Sequence, residues 1–219
     1  MQRLLSLINY AIDALFPEKC ISCSKIGTSF CDDCLSCAPK AGPTENSFIT
    51  AVFDYKNFAI RHALWRFKYR NSRSIAKYFG RVLYEAIIGE IGDDLHISKK
   101  EILLLVPVPL HKKRFHERGY NQSELLAREI LKYDTEKIFT LSTLALVRKR
   151  NTNPQAQKEK RNARLENLRG AFIGTREIAQ KKHIILIDDV TTTGATLQEA
   201  RKALLKAGAK TVYAFTVAH

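Results

Sequence analysis

The sequence predicts an α/β protein, a mainly parallel sheet flanked by helices, with a small cysteine-rich knuckle ahead of it. Three observations carry this. The runs Ile102 to Val108 and Ile184 to Ile187 are apolar without alternation, as in strands buried on both faces. Segments of helical period separate them; after Gly194, the residues Leu197, Ala200, Ala203, Leu204 and Ala207 share one helical face. All five cysteines fall between positions 20 and 37. A chain of 219 residues can bury one good-sized core plus an appendage.

The first stretch, residues 1–16, places Leu4, Leu5, Ile8, Ile12 and Leu15 on one face of an amphipathic helix. Arg3 is its only base and no small-residue cleavage site follows, which argues against a signal peptide. Its apolar face packs against the protein itself or lies on a membrane surface. No apolar run approaches the ~20 residues of an integral membrane span, so a soluble globular protein is expected, and the clustered cysteines that follow point to the cytoplasm.

Residues 17–46 form the second segment, a knuckle and linker. Cys20-x-x-Cys23 and Cys31-x-x-Cys34, seven residues apart, can set four thiolates at the corners of the tetrahedron that Zn²⁺ takes in closed structural sites. Cys37 either replaces Cys34 or stays free. An odd count clustered in a short stretch fits metal better than disulfides. Pro39, Gly42 and Pro43 mark Ala38 to Asn46 as linker.

Residues 47–219 form the main domain. Phe48 to Tyr55 has strand character. From Phe58 to Tyr69 aromatic and basic residues interleave; Arg61, Trp65, Arg66, Lys68 and Tyr69 could stack on and neutralise single-stranded nucleic acid, or the segment is an amphipathic helix that buries Trp65. Ile75 to Ile91 reads as a second helix. The strand Ile102 to Val108 leads into a basic loop with Lys112, Lys113, Arg114 and Arg118, suited to a pyrophosphate, and then a helix from Glu124 to Tyr133. Leu141 to Val147 reads as a strand. The long polar stretch from Arg148 to Arg169 reads as a mobile basic lid. Phe172 and Ile173 return to the core, and Thr211 to Val217 is the last strand.

The most informative stretch is His183 to Leu197, HIILIDDVTTTGATL. An apolar strand ends in Asp188 and Asp189, a loop of hydroxyls and one glycine follows, and a helix begins. Free backbone N–H groups and the positive end of the helix dipole suit a phosphate in that loop. The aspartate oxygens suit a ribose diol or a hydrated Mg²⁺. Neither GxxxxGK[ST] nor GxGxxG is present, which excludes a Walker loop or a dinucleotide fingerprint. The excess of 36 Lys and Arg over 22 Asp and Glu gives a net charge of +14, which favours an anionic partner.

This stretch closely resembles the phosphoribosyl pyrophosphate (PRPP) motif of type I phosphoribosyltransferases, with Thr191 where that family more often has an aliphatic residue. From Cys20 onward the order of features resembles the ComF family of competence-associated proteins. The shared features are the CxxC knuckle, Tyr55, Arg61 and Phe67-Lys68-Tyr69, VPVPLH followed by RGYNQ, Asn153-Pro154-Gln155 with KRNARLENLRGAF, and the PRPP loop.

The resemblance implies a type I phosphoribosyltransferase-like fold and a PRPP-binding protein that acts in natural competence, handling incoming single-stranded DNA, with structural Zn²⁺ and with Mg²⁺ beside PRPP. Asp188 and Asp189 would be the catalytic pair, holding ribose hydroxyls and metal-bound water. Val190, Thr191, Thr192, Thr193, Gly194, Ala195 and Thr196 would complete the PRPP loop. Lys112, Arg114 and Arg118 would hold pyrophosphate, assisted by Arg148, Lys160 and Arg164. The zinc ligands would be Cys20, Cys23, Cys31 and Cys34. A DNA-uptake helicase and the inner face of the membrane are implied as partners. The alternative is a non-catalytic single-stranded DNA-binding protein that keeps the fold as a phosphate-binding or sensor scaffold. No residue declares itself as the general base of an acceptor.

Overall fold

Alternation of side chains along parallel strands gives the sheet two apolar faces, and both are covered. The computed structural model describes residues 17–69, 73–93, 101–149 and 170–219. The expected helix over 1–16 and the basic residues Lys160 and Arg164 lie outside the described residues.

The main sheet contains β1 (Ile49–Phe53), β2 (Leu103–Pro107), β3 (Phe139–Leu141), β6 (His183–Val190) and β7 (Thr211–Ala218), in the order β1-β7-β6-β2-β3. All four pairings are parallel. Register sets Pro107 opposite Ile187 and Val190 opposite Ala218. On one face Leu103, Leu105, Ile185, Ile187, Phe215 and Val217 are buried with Phe67, Phe79 and Leu126. These come from α2 (Phe58–Tyr69), α3 (Ile75–Asp93) and α5 (Gln122–Tyr133). On the other face Leu104, Val106, Ile184, Leu186 and Ala214 are buried with Leu197, Ala200 and Leu204 of α7 (Ala195–Lys206).

A two-stranded antiparallel ribbon of β4 (Leu146–Arg148) and β5 (Phe172–Gly174) covers this second face, followed by α6 (Arg176–Ala179). Gly174 lies so close to α7 that a Cβ would come within 2.6 Å of the Ala203 carbonyl oxygen.

Two expectations are corrected. The basic stretch after β2 is a helix, α4 (Lys112–Arg118), because the His111 side chain accepts from the Lys113 N–H and Gly119 closes the C-terminus at φ 75°. Leu141 to Val147 is not one strand. Ser142 Oγ accepts from the Ala145 N–H at 3.1 Å, and that turn separates β3 from β4.

The cysteine segment carries α1 (Asp32–Ser36). Phe30 and Leu35 are buried in the same cluster as Phe53, Phe67 and Phe79, so the segment shares the core of the sheet. Polar ties to α3 hold it there: Thr28 Oγ1 and Tyr78 Oη lie 2.6 Å apart, and Arg81 pairs with Asp32.

Candidate functional site

Chain connectivity alone marks one crevice. From β2 the chain proceeds through α5, on the first face, to its outer neighbour β3. From β6 it proceeds through α7, on the second face, to β7 in the other direction. Helices therefore diverge between the carboxyl ends of β2 and β6, the switch point where open parallel sheets bind ligands. Asp188 and Asp189 stand at the end of β6 in that crevice.

The two carboxylates have different partners. Asp188 Oδ1 accepts from Ser123 Oγ at 2.9 Å, at the first turn of α5, and from the Asp189 N–H at 2.8 Å. Burial, reinforced by the charge of Asp189, pushes the Asp188 carboxyl up to about 7, against those two hydrogen bonds and Lys68, which pull it down. Asp189 Oδ1 lies 3.0 Å from Lys68 Nζ, with the two side chains only 19% and 12% exposed. Lys68 therefore faces the carboxylates, apart from the exposed rings with which its sequence position groups it.

The loop after β6 leads into the glycine-capped start of α7. Gly194 is the N-cap of α7, at φ 72°, a left-handed conformation that glycine adopts without strain. Thr191 is buried, Thr192 exposed, and Thr193 and Thr196 half-buried. A segment that spacing marked only as linker meets this loop. Thr44, Glu45, Asn46 and His219 line a small cavity with Thr191 to Gly194. Gln198 Nε2 donates to Asn46 Oδ1 at 2.5 Å, and His219 Nε2 donates to the Thr192 carbonyl at 3.1 Å. Nothing in the periodicity around Asn46 or His219 signals this role, because the contacts cross more than a hundred residues or join two strand ends.

Cations approach from α4 and the ribbon. Arg148 feels both Arg114 and Asp188; burial, then the charge of Arg114, lowers its pKa, and Asp188 opposes the change. Its guanidinium lies 5.4 Å from the Phe172 ring centroid. Arg118 donates from Nη1 to Gln122 Oε1 at 3.0 Å and stacks on Tyr69 at 5.2 Å. Among the described residues the buried Nε atoms of Arg118 and Arg148 have no hydrogen-bond partner. Buried guanidinium N–H groups normally have acceptors, so these two are donors that suit an anionic ligand. Lys112 and Arg114 are exposed. Arg148 thus lies within electrostatic reach of Arg114 and Asp188, while Arg118 stacks on Tyr69.

On the outer face of α2 the rings form a continuous ladder. Phe58 to His62 is 5.8 Å between centroids, and His62 to Trp65 and Trp65 to Tyr69 are each 6.2 Å. Trp65 is 43% exposed, so the reading in which the helix buries it is corrected: Ile60, Ala63, Leu64 and Phe67 fill the core face instead. Arg61 is exposed and Arg66 half-buried along the same helix.

The thiols of Cys20, Cys23, Cys31 and Cys34 lie within 4.8 Å of one another. Cys31 Sγ is 3.7 Å from Cys20 Sγ and 3.6 Å from Cys23 Sγ. A tetrahedral zinc with Zn–S bonds of 2.3 Å requires sulfur separations of about 3.8 Å, so the donors fit that ion. Burial opposes ionisation of Cys20, yet the backbone groups of Cys23, Cys31 and Ser22 outweigh it and bring the thiol down to about 6. Cys37 is exposed and outside the cluster.

Comparison with known proteins adds relatives to this geometry. A phosphoribosyl transferase domain family matches residues 120–219. The chain is 33% identical over 168 residues to competence protein ComFC of Bacillus subtilis, covering 76% of this chain and 62% of that protein. It is 31% identical over 202 residues to competence protein ComFC of Streptococcus pneumoniae, covering 91% and 80%. It is 29% identical over 199 residues to the DNA utilization protein YhgH of Escherichia coli O6:H1, covering 88% and 80%.

Proposed function

The chain belongs to the family of the competence protein ComFC, and from that premise we propose that it binds PRPP as a phosphoribosyltransferase-like protein acting in natural competence. The observation that carries this reading is the crevice itself. A carboxylate pair ends β6 and a glycine-capped hydroxyl loop follows it, while α4, which follows β2, and β4 each carry a buried guanidinium N–H without an acceptor among the described residues.

Each part has a chemical task. The loop from Thr192 to Thr196 accepts the 5-phosphate on backbone N–H groups and hydroxyls at the start of α7. Asp188 and Asp189 accept hydrogen bonds from the ribose 2- and 3-hydroxyls. Ser123 fixes the Asp188 rotamer from α5. Arg114, Arg118 and Arg148 stabilise the charge that grows on pyrophosphate as it leaves C1. Asp189 already carries a cation, the Lys68 ammonium, so the pair suits Mg²⁺ as well; Mg²⁺ bound there would neutralise pyrophosphate and ribose oxygens. The four clustered thiols hold structural zinc.

The test is calorimetric titration of PRPP with Mg²⁺ into zinc-loaded wild type and the Asp188→Asn/Asp189→Asn variant. Saturable binding in wild type that the variant loses supports the reading; absence of binding to folded wild type refutes it.

A second reading concerns the exposed ring ladder. Successive bases of single-stranded DNA can stack on Phe58, Trp65 and Tyr69 while Arg61 and Arg66 neutralise phosphates. The two readings are compatible. The double Asn variant should keep DNA affinity, since the ladder does not contain the carboxylates.

A further inference from the structure

We propose that Lys68 is a ligand-site residue with two positions. It stands on Asp189 while the site is empty, holding the place of a divalent cation, and moves to a pyrophosphate oxygen when the metal complex of PRPP enters. The inference rests on reading the carboxylate pair as a diol and metal site.

Three observations support it. Lys68 Nζ is 3.0 Å from Asp189 Oδ1 with both side chains largely buried, unlike the other Lys and Arg ion pairs among the described residues, each of which has at least one partner a third or more exposed. Two adjacent carboxylates so placed need a counterion, because burying them uncompensated is costly. The cation that supplies it is an ammonium on a flexible four-carbon stem, whose rotamers change without moving the helix backbone. Phe67 and Leu64 anchor that helix in the core. Lastly, Arg118, one of the cations assigned to pyrophosphate, stacks at 5.2 Å on Tyr69, the next residue along α2, so it stands at the same end of that helix as Lys68.

A divalent cation bound at Asp189 repels the ammonium already there. Entry of the metal complex therefore displaces Lys68, and the released ammonium finds its new acceptor on the ligand that displaced it. The exchange makes and breaks no covalent bond. It links occupancy by ligand to release of an internal cation, which disfavours binding of the metal-free anion.

The experiment uses the full zinc-loaded chain as wild type, Lys68→Met and Lys68→Arg. Binding of Mn²⁺ alone is measured by electron paramagnetic resonance, and binding of PRPP with Mg²⁺ by calorimetry. Lys68→Met should bind Mn²⁺ about tenfold more tightly, the scale on which a neighbouring charge changes a carboxylate's preference for a cation. The same variant should bind PRPP with Mg²⁺ about tenfold more weakly, as expected for loss of one charge-assisted contact. Lys68→Arg should stay closer to wild type in both. Two unchanged affinities overturn the proposal, and so does a parallel loss of both at unchanged melting temperature, the mark of a residue that only shapes the site. If wild type binds Mn²⁺ but not PRPP, the functional reading fails, while tighter Mn²⁺ binding by Lys68→Met still supports the placeholder and unchanged Mn²⁺ binding overturns it. Should the Met variant melt early, Lys68→Gln makes the same comparisons.

Discussion

Ser123 Oγ donates to Asp188 Oδ1 across 2.9 Å, joining the first turn of α5 to the end of β6. The two residues are 65 positions apart, and the bond closes the floor of the crevice between β2 and β6. Its consequence is orientation: Oδ1 of Asp188 is committed to two protein donors, the Ser123 hydroxyl and the Asp189 N–H.

Ser123→Ala removes a donor to the charged form of Asp188. The carboxyl should titrate higher still, and affinity for PRPP with Mg²⁺ should fall by about 1 kcal/mol, or five- to tenfold. Calorimetry at two pH values checks both.

Asp188 titrates near 7 in the folded protein, well above its ordinary value. The folded state therefore holds more protons on this group than the unfolded chain between about pH 4 and 7, so its contribution to stability is present at low pH and is lost as pH rises through 7. Asp188→Asn removes the cost of the buried charge. The variant should match wild type near pH 4 and be more stable at pH 8 by up to about 4 kcal/mol. Thermal melts across that range measure the difference.

Gly194→Ala meets two obstacles. The residue has φ 72°, and a Cβ would come within 2.6 Å of Asn46 Nδ2 and 2.9 Å of Ile49 Cδ1. A loss of about 2–4 kcal/mol in stability is expected, together with loss of phosphate binding as the loop shifts. Urea denaturation and a phosphate titration test the two effects.

Cys31→Ser and Cys37→Ser should separate cleanly. Cys31 is buried, with its sulfur near those of Cys20 and Cys23, whereas Cys37 is exposed and outside the cluster. The first variant, or chelation of wild type, should release metal and lower the melting temperature of the whole protein, because Phe30 and Leu35 belong to the main core. The second should keep one zinc per chain. Elemental analysis with thermal melts distinguishes them.

Trp65 is the only tryptophan, so its fluorescence reports on the ring ladder directly. Single-stranded oligonucleotide should quench it, and Tyr69→Ala should weaken binding by about 1–3 kcal/mol. Affinity should fall steeply as salt increases.

Local chemistry was enough to read much of this protein. The unbroken apolar runs ending at Val108 and Ile187 identify strands buried on both faces, and the two acids followed by hydroxyls and Gly194 mark the strand end and helix start that the fold contains. Paired CxxC spacing likewise selects the four thiols that the fold brings together. These features are contiguous in the chain, so periodicity and spacing carry them. What only the tertiary structure decided is which distant groups meet. Lys68 sits among aromatic and basic residues in sequence, yet helix α2 turns Trp65 and Tyr69 outward and Lys68 onto Asp189. Asn46 reads as linker until Gln198 holds its amide against Gly194. A side chain's direction depends on which helix face the core takes, and its partner depends on strand order; neither is encoded within a window of neighbouring residues.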